Sequence, residues 1–506
     1  MTLRTKAARG LKWQAIEIGG RQLLSLAVFT TLARLLDPSA FGSVALVGAY
    51  LALVAVFTDF GIGTALIQRR ELDPRHVNSA FWFNVLCAAV LCAATVALAR
   101  PLAVLFGDAG VAPLLRWASL SLIINAAAAT HGTLFFRDLD FRSPTLRTLV
   151  AAAVGGVVGV GMALLGYGVW ALVGQQLTAS LAGALFLWTA SRWRPALEFS
   201  LPHLRELLAV SASVSGVSLL YFFSSRLDQL LIGRYLGTNP LGEYVVGGKF
   251  AELARTALQQ PLAAVSMPAL SRLQDEHERL SGAMYKGMEL NALVTIPAFV
   301  GLAAVAPDLV PLAFGAQWQL AAGVLQLMAL YSLAAGLFVY CHPALLATGA
   351  SGRYLLLHAG CAAGTGVACV VGLRFGVQAV VVGLIINAMV SGLAALVFLR
   401  QLIGLSPWKY LRPCVEPGMA AALMYGVVTL SRPALNAELP PWASLLAQVL
   451  IGAIAYMAIL YGLIPDRLAV VRDMAVSAFA KPAQDGEAVA VAVVEPAPAI
   501  NGTSQS

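Results

Sequence analysis

The chain has 506 residues, 59% of them hydrophobic and 11% charged, with a mean hydropathy of +0.79. A soluble domain carries charge on roughly a quarter of its residues, so this composition excludes a water-soluble globule and points to an all-α polytopic membrane protein. The net charge of +8 and the pI of 9.3 are assigned to loops on one membrane face, because Lys and Arg gather on cytoplasmic loops; no nucleic-acid partner is expected.

Runs long enough to cross a bilayer, about 20 mostly apolar residues each, recur fourteen times along the chain. They centre on 13–35, 42–66, 78–99, 112–135, 145–166, 168–190, 207–234, 242–267, 288–306, 320–346, 354–373, 377–399, 414–431 and 443–464. The basic start, Arg4, Lys6, Arg9 and Lys12, resembles a signal peptide. Its apolar run continues to about Leu36 without a small-residue cleavage site in the right place, so it reads as a retained first span. Leu165-Gly166-Tyr167-Gly168 separates the fifth span from the sixth, and Leu373-Arg374-Phe375-Gly376 the eleventh from the twelfth; Gly and aromatic residues suit tight interfacial turns. The longest connection, 268–287, has mixed charge and reads as helical. Residues beyond Asp466 form a tail whose low-complexity end is expected to be disordered.

Charge in the connections sets the orientation. With the N-terminus inside, 23 Lys and Arg fall on the cytoplasmic side, and Arg34, Arg100, Arg116, Arg234, Arg374 and Arg432 on the other. That asymmetry places both termini of the multi-pass chain on the cytoplasmic side.

The sequence also repeats itself. Arg34-Leu35-Leu36-Asp37 with Phe41-Gly42 and Tyr50 aligns, at a shift of 200, with Arg234-Tyr235-Leu236-Gly237, Leu241-Gly242 and Phe250. At a shift of 208, Leu105-Phe106-Gly107 falls on Ala313-Phe314-Gly315, and Gly168-Val169-Trp170-Ala171 on Gly376-Val377-Gln378-Ala379. Six spans separate the copies, so the halves are parallel, an arrangement that puts transporter substrate sites between the halves. The expected organisation is a six-helix lobe over 1–200, a second over 201–402, two additional transmembrane helices over 403–465 and a cytoplasmic tail over 466–506.

No catalytic or metal-binding motif stands out: there is no H-E-x-x-H, P-loop, G-x-S-x-G or CxxC. No cofactor is expected, and the six cysteines read as packing residues. Ionised side chains inside the spans are the unusual feature, because each costs several kcal/mol in hydrocarbon and belongs against a bundle interior or a water-filled cavity. The cations are Arg21, Arg226, Lys249 and Arg255; the carboxylates available to them as ion-pair or coupling partners are Glu17, Asp59, Asp228 and Glu252. Depth in the bilayer, at ~1.5 Å per residue, levels Asp228 with Lys249 and Arg226 with Glu252. Glu17 precedes Arg21, and Glu252 precedes Arg255, at spacings that share a helix face. Glu252, Arg255 and Gln259 lie on one arc with Lys249 beside it, and Gln259-Gln260-Pro261 adds polar capacity and a kink. Asn125, Asn291 and Asn387 are expected to hydrogen-bond between helices.

Four stretches carry a family resemblance: Ala7-Ala8-Arg9-Gly10-Leu11-Lys12-Trp13, Ala33-Arg34-Leu35-Leu36-Asp37-Pro38-Ser39-Ala40-Phe41-Gly42, Asp59-Phe60-Gly61-Ile62-Gly63-Thr64-Ala65-Leu66-Ile67-Gln68, and Asp228-Gln229-Leu230-Leu231-Ile232-Gly233-Arg234-Tyr235-Leu236-Gly237. Over about residues 1–465 the chain resembles the Wzx-type, WzxC-like polysaccharide flippases of the multidrug/oligosaccharidyl-lipid/polysaccharide (MOP) exporter superfamily. That resemblance implies movement of an undecaprenyl-diphosphate-linked oligosaccharide across a bacterial inner membrane for lipopolysaccharide or exopolysaccharide synthesis. It also implies contact with membrane lipids and with the polysaccharide polymerase and chain-length machinery. A diphosphate head suits cationic cavity residues, since Arg binds phosphate bidentately and Lys as a point charge; Arg21 and Arg255, one per lobe near mid-depth, are the leading candidates. Three other readings stay open: an ion-coupled multidrug exporter of the same superfamily, a membrane polymerase or ligase, and a non-transport component of a polysaccharide assembly complex.

Overall fold

The computed structural model describes residues 3–69 and 71–463, leaving out the side chains of 3–18, 59, 209–218, 220–221, 224, 264–265 and 463. The expected tail, and the side chains of Glu17 and Asp59, therefore lie outside the described residues. Every regular element among the described residues is helical. In chain order the α-helices are α1 Leu3–Leu35, α2 Pro38–Asp59, α3 Ile62–Gln68, α4 Pro74–Phe106, α5 Val111–Ala118, α6 Leu120–Arg137, α7 Arg142–Leu164, α8 Val169–Ala190, α9 Leu201–Tyr235, α10 Thr238–Ser271, α11 His277–Phe314, α12 Gln319–Gly336, α13 Cys341–Ala347, α14 Ser351–Gly372, α15 Val377–Ile403, α16 Pro407–Leu411, α17 Val415–Glu438 and α18 Pro441–Leu463.

Eleven helical segments among the described residues are long and apolar enough to cross a membrane, and they fall on the expected spans two to six and nine to fourteen. The other three expected spans coincide with α1, α9 and α10, the helices that carry the intramembrane charge. Prolines open α2 and α4, where a missing N–H costs nothing and the fixed φ suits the helix. The α4 start is also capped: the Asp73 carboxylate accepts from the Arg75 N–H at 2.7 Å, and the Asp73 N–H donates to His76 Nδ1 at 3.2 Å.

Two spans are less continuous than their hydropathy implies. The second stops at Asp59, because Phe60 (φ 46°) and Gly61 (φ 71°) turn left-handed before the short α3 begins. The tenth breaks between α12 and α13, and the Leu337 carbonyl at the break accepts the buried Tyr410 hydroxyl at 3.1 Å. A backbone carbonyl out of reach of water needs such a partner.

The three sequence matches between the halves reappear as backbone features. Gly107 and Gly315, which end α4 and α11, both have positive φ (76° and 107°), as do Gly168 and Gly376 (55° and 100°), which precede α8 and α15. The third match is a reciprocal contact. A Cβ on Gly42 would lie 1.7 Å from the Thr238 carbonyl oxygen, and one on Gly242 would lie 1.8 Å from the Pro38 carbonyl oxygen. Pro38 and Thr238 are themselves 200 apart, so the first turns of α2 and α10 meet as a two-fold related pair.

The described residues pack as two compact units: those within 3–248 with 310–324 and 362–383, and 249–309 with 325–361 and 384–463. These boundaries differ from the repeat boundaries because α9, the first helix of the second repeat, packs on α2 and α4 of the first. In the first unit, glycines let helices approach closely. A Cβ on Gly155 or Gly159 would meet Ala179 or Gln175 of α8 at 2.7 Å, and one on Gly156 would meet Val28 of α1 at 2.5 Å. Small residues serve this purpose where lipid offers no hydrophobic drive between helices. The second unit has a core built on α11, with Leu280, Met284 and Met288 buried beside Leu345, Leu396 and Tyr410.

Candidate substrate site

In the first unit the charged stretch of α9 is organised locally. Arg226 is exposed, and its Nη1 donates to Gln229 Oε1 at 3.3 Å. Asp228 is half-buried and accepts from the Tyr244 hydroxyl of α10, while its Oδ1 is shielded from water without a hydrogen-bond partner. The carboxylate expected to face Lys249 is thus held through one oxygen by a phenol. Arg21 on α1 is exposed.

In the second unit the charged residues of α10 sort by depth of burial. Lys249 Nζ stands 3.9 Å from Glu252 Oε2, with 20% and 58% of the two side chains exposed. Glu252 was expected to face Arg226 or Arg255; its nearest cation is Lys249, one helical turn away. Arg255 is half-buried and Gln260 exposed. Among the described side chains, no carboxylate comes within the 4.0 Å of an ion pair of Arg21, Arg226 or Arg255.

Gln259 departs from its expected place on a cavity wall. It is 7% exposed, and its Nε2 donates to the Ser332 carbonyl of α12 at 2.8 Å. Gly336 makes room for it, since a Cβ there would lie 2.2 Å from the same nitrogen. The Gly336 carbonyl accepts from Asn291 Nδ2 of α11 at 2.9 Å, and Asn291 Oδ1 accepts from Thr295 at 2.6 Å. This chain of bonds joins α10, α11 and α12 in the manner expected for Asn291. Asn387 does the same between α15 and α14, donating to the Cys361 carbonyl at 3.0 Å, whereas Asn125 is exposed.

Three polar clusters are not evident in the sequence. At the cytoplasmic ends expected for α3, α4 and α9, Glu206 takes Arg69 Nη2 at 2.5 Å and His76 Nε2 at 3.3 Å. The His76 hydrogen bond, followed by the Arg69 one, holds the Glu206 carboxyl below its usual range. Arg137 closes the end of α3 through the Leu66 and Arg69 carbonyls at 2.6 and 2.7 Å. In the second unit, Asp308 of α11 receives Arg432 Nε at 2.8 Å and Gln448 Nε2 at 2.9 Å, tying α17 and α18 to α11. His131 and His342 sit in separate aromatic settings: His131 lies 4.8 Å from Trp188 and 5.0 Å from Trp193, and His342 lies 5.1 Å from His358, all between ring centroids.

Each unit also holds a cavity. One of about 440 Å³ in the first unit is lined by Asp37, Ser39, Ser43, Leu114, Gly166 and Gly168, among others. One of about 500 Å³ in the second is apolar, between Val300, Leu333, Leu337, Gly418 and Tyr425.

These features define a multi-pass α-helical membrane protein with charge set into its helices. Its fold matches a solved lipid II flippase MurJ in an inward closed conformation, at a TM-score of 0.74 and 14% identity over 90% of this chain and 99% of that one. A multidrug resistance MATE family transporter of the MOP superfamily, in an inward-facing conformation, aligns at a TM-score of 0.60 and 16% identity, covering 76% of this chain and 94% of that one. The chain belongs to the polysaccharide biosynthesis protein family, whose model matches residues 31–322, more than half of the sequence. It is 29% identical over 322 residues to the succinoglycan biosynthesis transport protein ExoT of Rhizobium meliloti (strain 1021), covering 64% of this chain and 65% of that protein. It is 28% identical over 335 residues to the lipopolysaccharide biosynthesis protein WzxC of Escherichia coli (strain K12), covering 66% and 68%.

Proposed function

We propose that this protein is a flippase that carries a polyprenyl-diphosphate-linked oligosaccharide from the cytoplasmic to the outer leaflet of a bacterial inner membrane, by alternating access, with both termini in the cytoplasm. The observation that carries this reading is that Arg21, Arg226 and Arg255, on helices of membrane-spanning length, have no carboxylate within 4.0 Å among the described side chains. A guanidinium within a membrane span is retained where an anionic ligand meets it, and a diphosphate offers the paired oxygens that its planar fork fits. Family membership and the similarity to ExoT and WzxC support a polysaccharide precursor as the cargo. The apolar cavity beside α17 suits a stretch of prenyl chain, and delivery to a polymerase with its chain-length machinery follows from such a cargo.

The test is mass spectrometry of polyprenyl lipids from cells that lack the protein but keep the downstream polymerase. Complete repeat units should accumulate on the polyprenyl diphosphate, accessible only from the cytoplasmic side. Unchanged lipid pools with normal surface polysaccharide would refute the reading.

A further inference from the structure

We propose that the 440 Å³ cavity of the first unit is a binding subsite for a neutral sugar ring, placed where an exported glycan emerges. The inference rests on the flippase reading for the identity of the glycan, but not for the chemistry of the pocket. Three turns build the cavity: α1–α2, α4–α5 and α7–α8. All three fall on the same membrane face, the one opposite the Arg- and Lys-rich connections, and so on the outer side.

The lining fits a pyranose. Its volume lies within the range of small-molecule sites, roughly 300–1,000 Å³. Asp37 occupies the N-cap position of α2, yet its side chain makes no cap hydrogen bond. Aspartate at such a position ordinarily accepts from the helix N–H groups; Asp37 makes no such bond and is one of the residues that line the cavity. An ionised carboxylate only accepts hydrogen bonds, through two oxygens, and thereby matches a pair of adjacent sugar hydroxyls. Ser39 and Ser43 add groups that both donate and accept. Leu114, 2% exposed, gives an apolar wall for the C–H face of a ring.

Gly166 and Gly168 form part of the lining with positive φ (81° and 55°), and nothing lies within 4 Å of where a Cβ would project from either. A ligand can therefore approach their backbone directly. No Lys or Arg lines the cavity, so a phosphate would meet only Asp37 and be repelled. The pocket selects the uncharged glycan and excludes the diphosphate head.

The experiment uses the purified full chain in nanodiscs, with methyl β-D-glucopyranoside and methyl β-D-galactopyranoside as probes, read by saturation-transfer difference NMR in sodium and in choline buffers. Ring-proton signals are expected from the native protein. Asp37→Asn should weaken binding about tenfold or more, as loss of a charge-assisted hydrogen bond does. Ser43→Leu, which fills the cavity, should abolish it. Both variants should keep the native unfolding midpoint.

Binding that is unchanged in both variants, or no binding of either glycoside to the native protein, overturns the proposal. So does sodium-dependent stabilisation that Asp37→Asn removes without any glycoside signal, which would make the cavity a cation site. The two readings fail separately. Glycoside binding that depends on Asp37, in a protein whose loss leaves polysaccharide export normal, would retain the subsite and reject the flippase. Export that needs the protein, with glycoside binding indifferent to Asp37, would do the reverse.

Discussion

Gly42→Ala tests the reciprocal seam between the two repeats. The added Cβ would fall 1.7 Å from the Thr238 carbonyl oxygen, and ordinary contact begins near 3.4 Å. The first turns of α2 and α10 would have to part by roughly 1.7 Å, and no flexible side chain can absorb that, because the obstacle is backbone. Overpacking of this kind costs about 1–3 kcal/mol, and this case belongs at the upper end or above. Nearby contacts would be strained as well: Arg34 Nε donates to the Ala313 carbonyl at 2.8 Å, and Trp318 Nε1 to the Ala33 carbonyl at 2.8 Å. The assay is equilibrium unfolding in mixed micelles. Gly242→Ala should be equally damaging, with its Cβ 1.8 Å from the Pro38 carbonyl oxygen. The double variant should cost much less than the two singles together, since one displacement relieves both clashes. Gly48→Ala in the same helix is the control: nothing lies within 4 Å of its Cβ position, so replacing a mid-helix glycine should be neutral or stabilise by up to about 1 kcal/mol. Additive effects of Gly42→Ala and Gly242→Ala, or a Gly48→Ala effect as large as theirs, would refute the two-fold seam.

Replacing Arg21 and Arg255 together by Gln should abolish polysaccharide export while leaving membrane levels normal, checked by surface-polysaccharide staining beside immunoblots; full export would remove them from the mechanism. Asp308→Ala removes the acceptor for Arg432 and Gln448 and should cost about 2–4 kcal/mol, with a coupling to Arg432→Ala visible in a double-mutant cycle. Gly336→Ala drives a Cβ against Gln259 and should destabilise by about 1–3 kcal/mol, an effect that Gln259→Ala relieves. The Glu206 carboxyl, lowered by its His76 and Arg69 hydrogen bonds from a usual value of 4.5, binds protons more readily unfolded than folded. Its stabilisation is therefore present above about 4.5 and is lost as pH falls through the lowered folded value; Glu206→Gln should flatten that acid limb in unfolding midpoints.

Much of the fold was legible because membrane spans announce themselves by length and apolar content, and because glycine marks turns through its freedom at positive φ. Gly168 and Gly376 stood out on that ground, and both have positive φ. The break at Phe60–Gly61 was hidden, because a phenylalanine in left-handed conformation leaves no trace in hydropathy. At the candidate site, helical periodicity identified the polar face of α10 but not what covers it. Gln259 lies on that face and meets the backbone of α12, not water. Levelling charges by depth paired Asp228 with a cation, whereas its side-chain hydrogen bond comes from the hydroxyl of Tyr244, on the neighbouring helix. The Asp308 cluster joins residues 124 and 140 positions apart, and no local pattern encodes such a meeting.

The repeat also supplies an internal control for the charges. Gapless extension of the 200-residue shift through the paired helices puts Leu26 opposite Arg226, Val28 opposite Asp228, Ala49 opposite Lys249, Ala52 opposite Glu252 and Ala55 opposite Arg255. The first copy builds α1 and α2 with apolar residues at all five positions, while it shares the close-contact glycine of the second copy at 42 and 242. The helices therefore do not need the charges in order to form. Of the five, Lys249 and Glu252 approach as a pair at 3.9 Å, whereas Arg226 and Arg255 have no carboxylate within ion-pair distance among the described side chains of their own units. Charge within a membrane span that neither the helix nor an ion-pair partner requires is costly to keep, and an anionic ligand is the simplest compensation. Replacing Arg226 and Arg255 by Leu and Ala, the residues of the first copy, should thus preserve or raise the unfolding midpoint and abolish export. A variant that unfolds while Arg226→Lys and Arg255→Lys remain fully active would instead assign both arginines to the architecture.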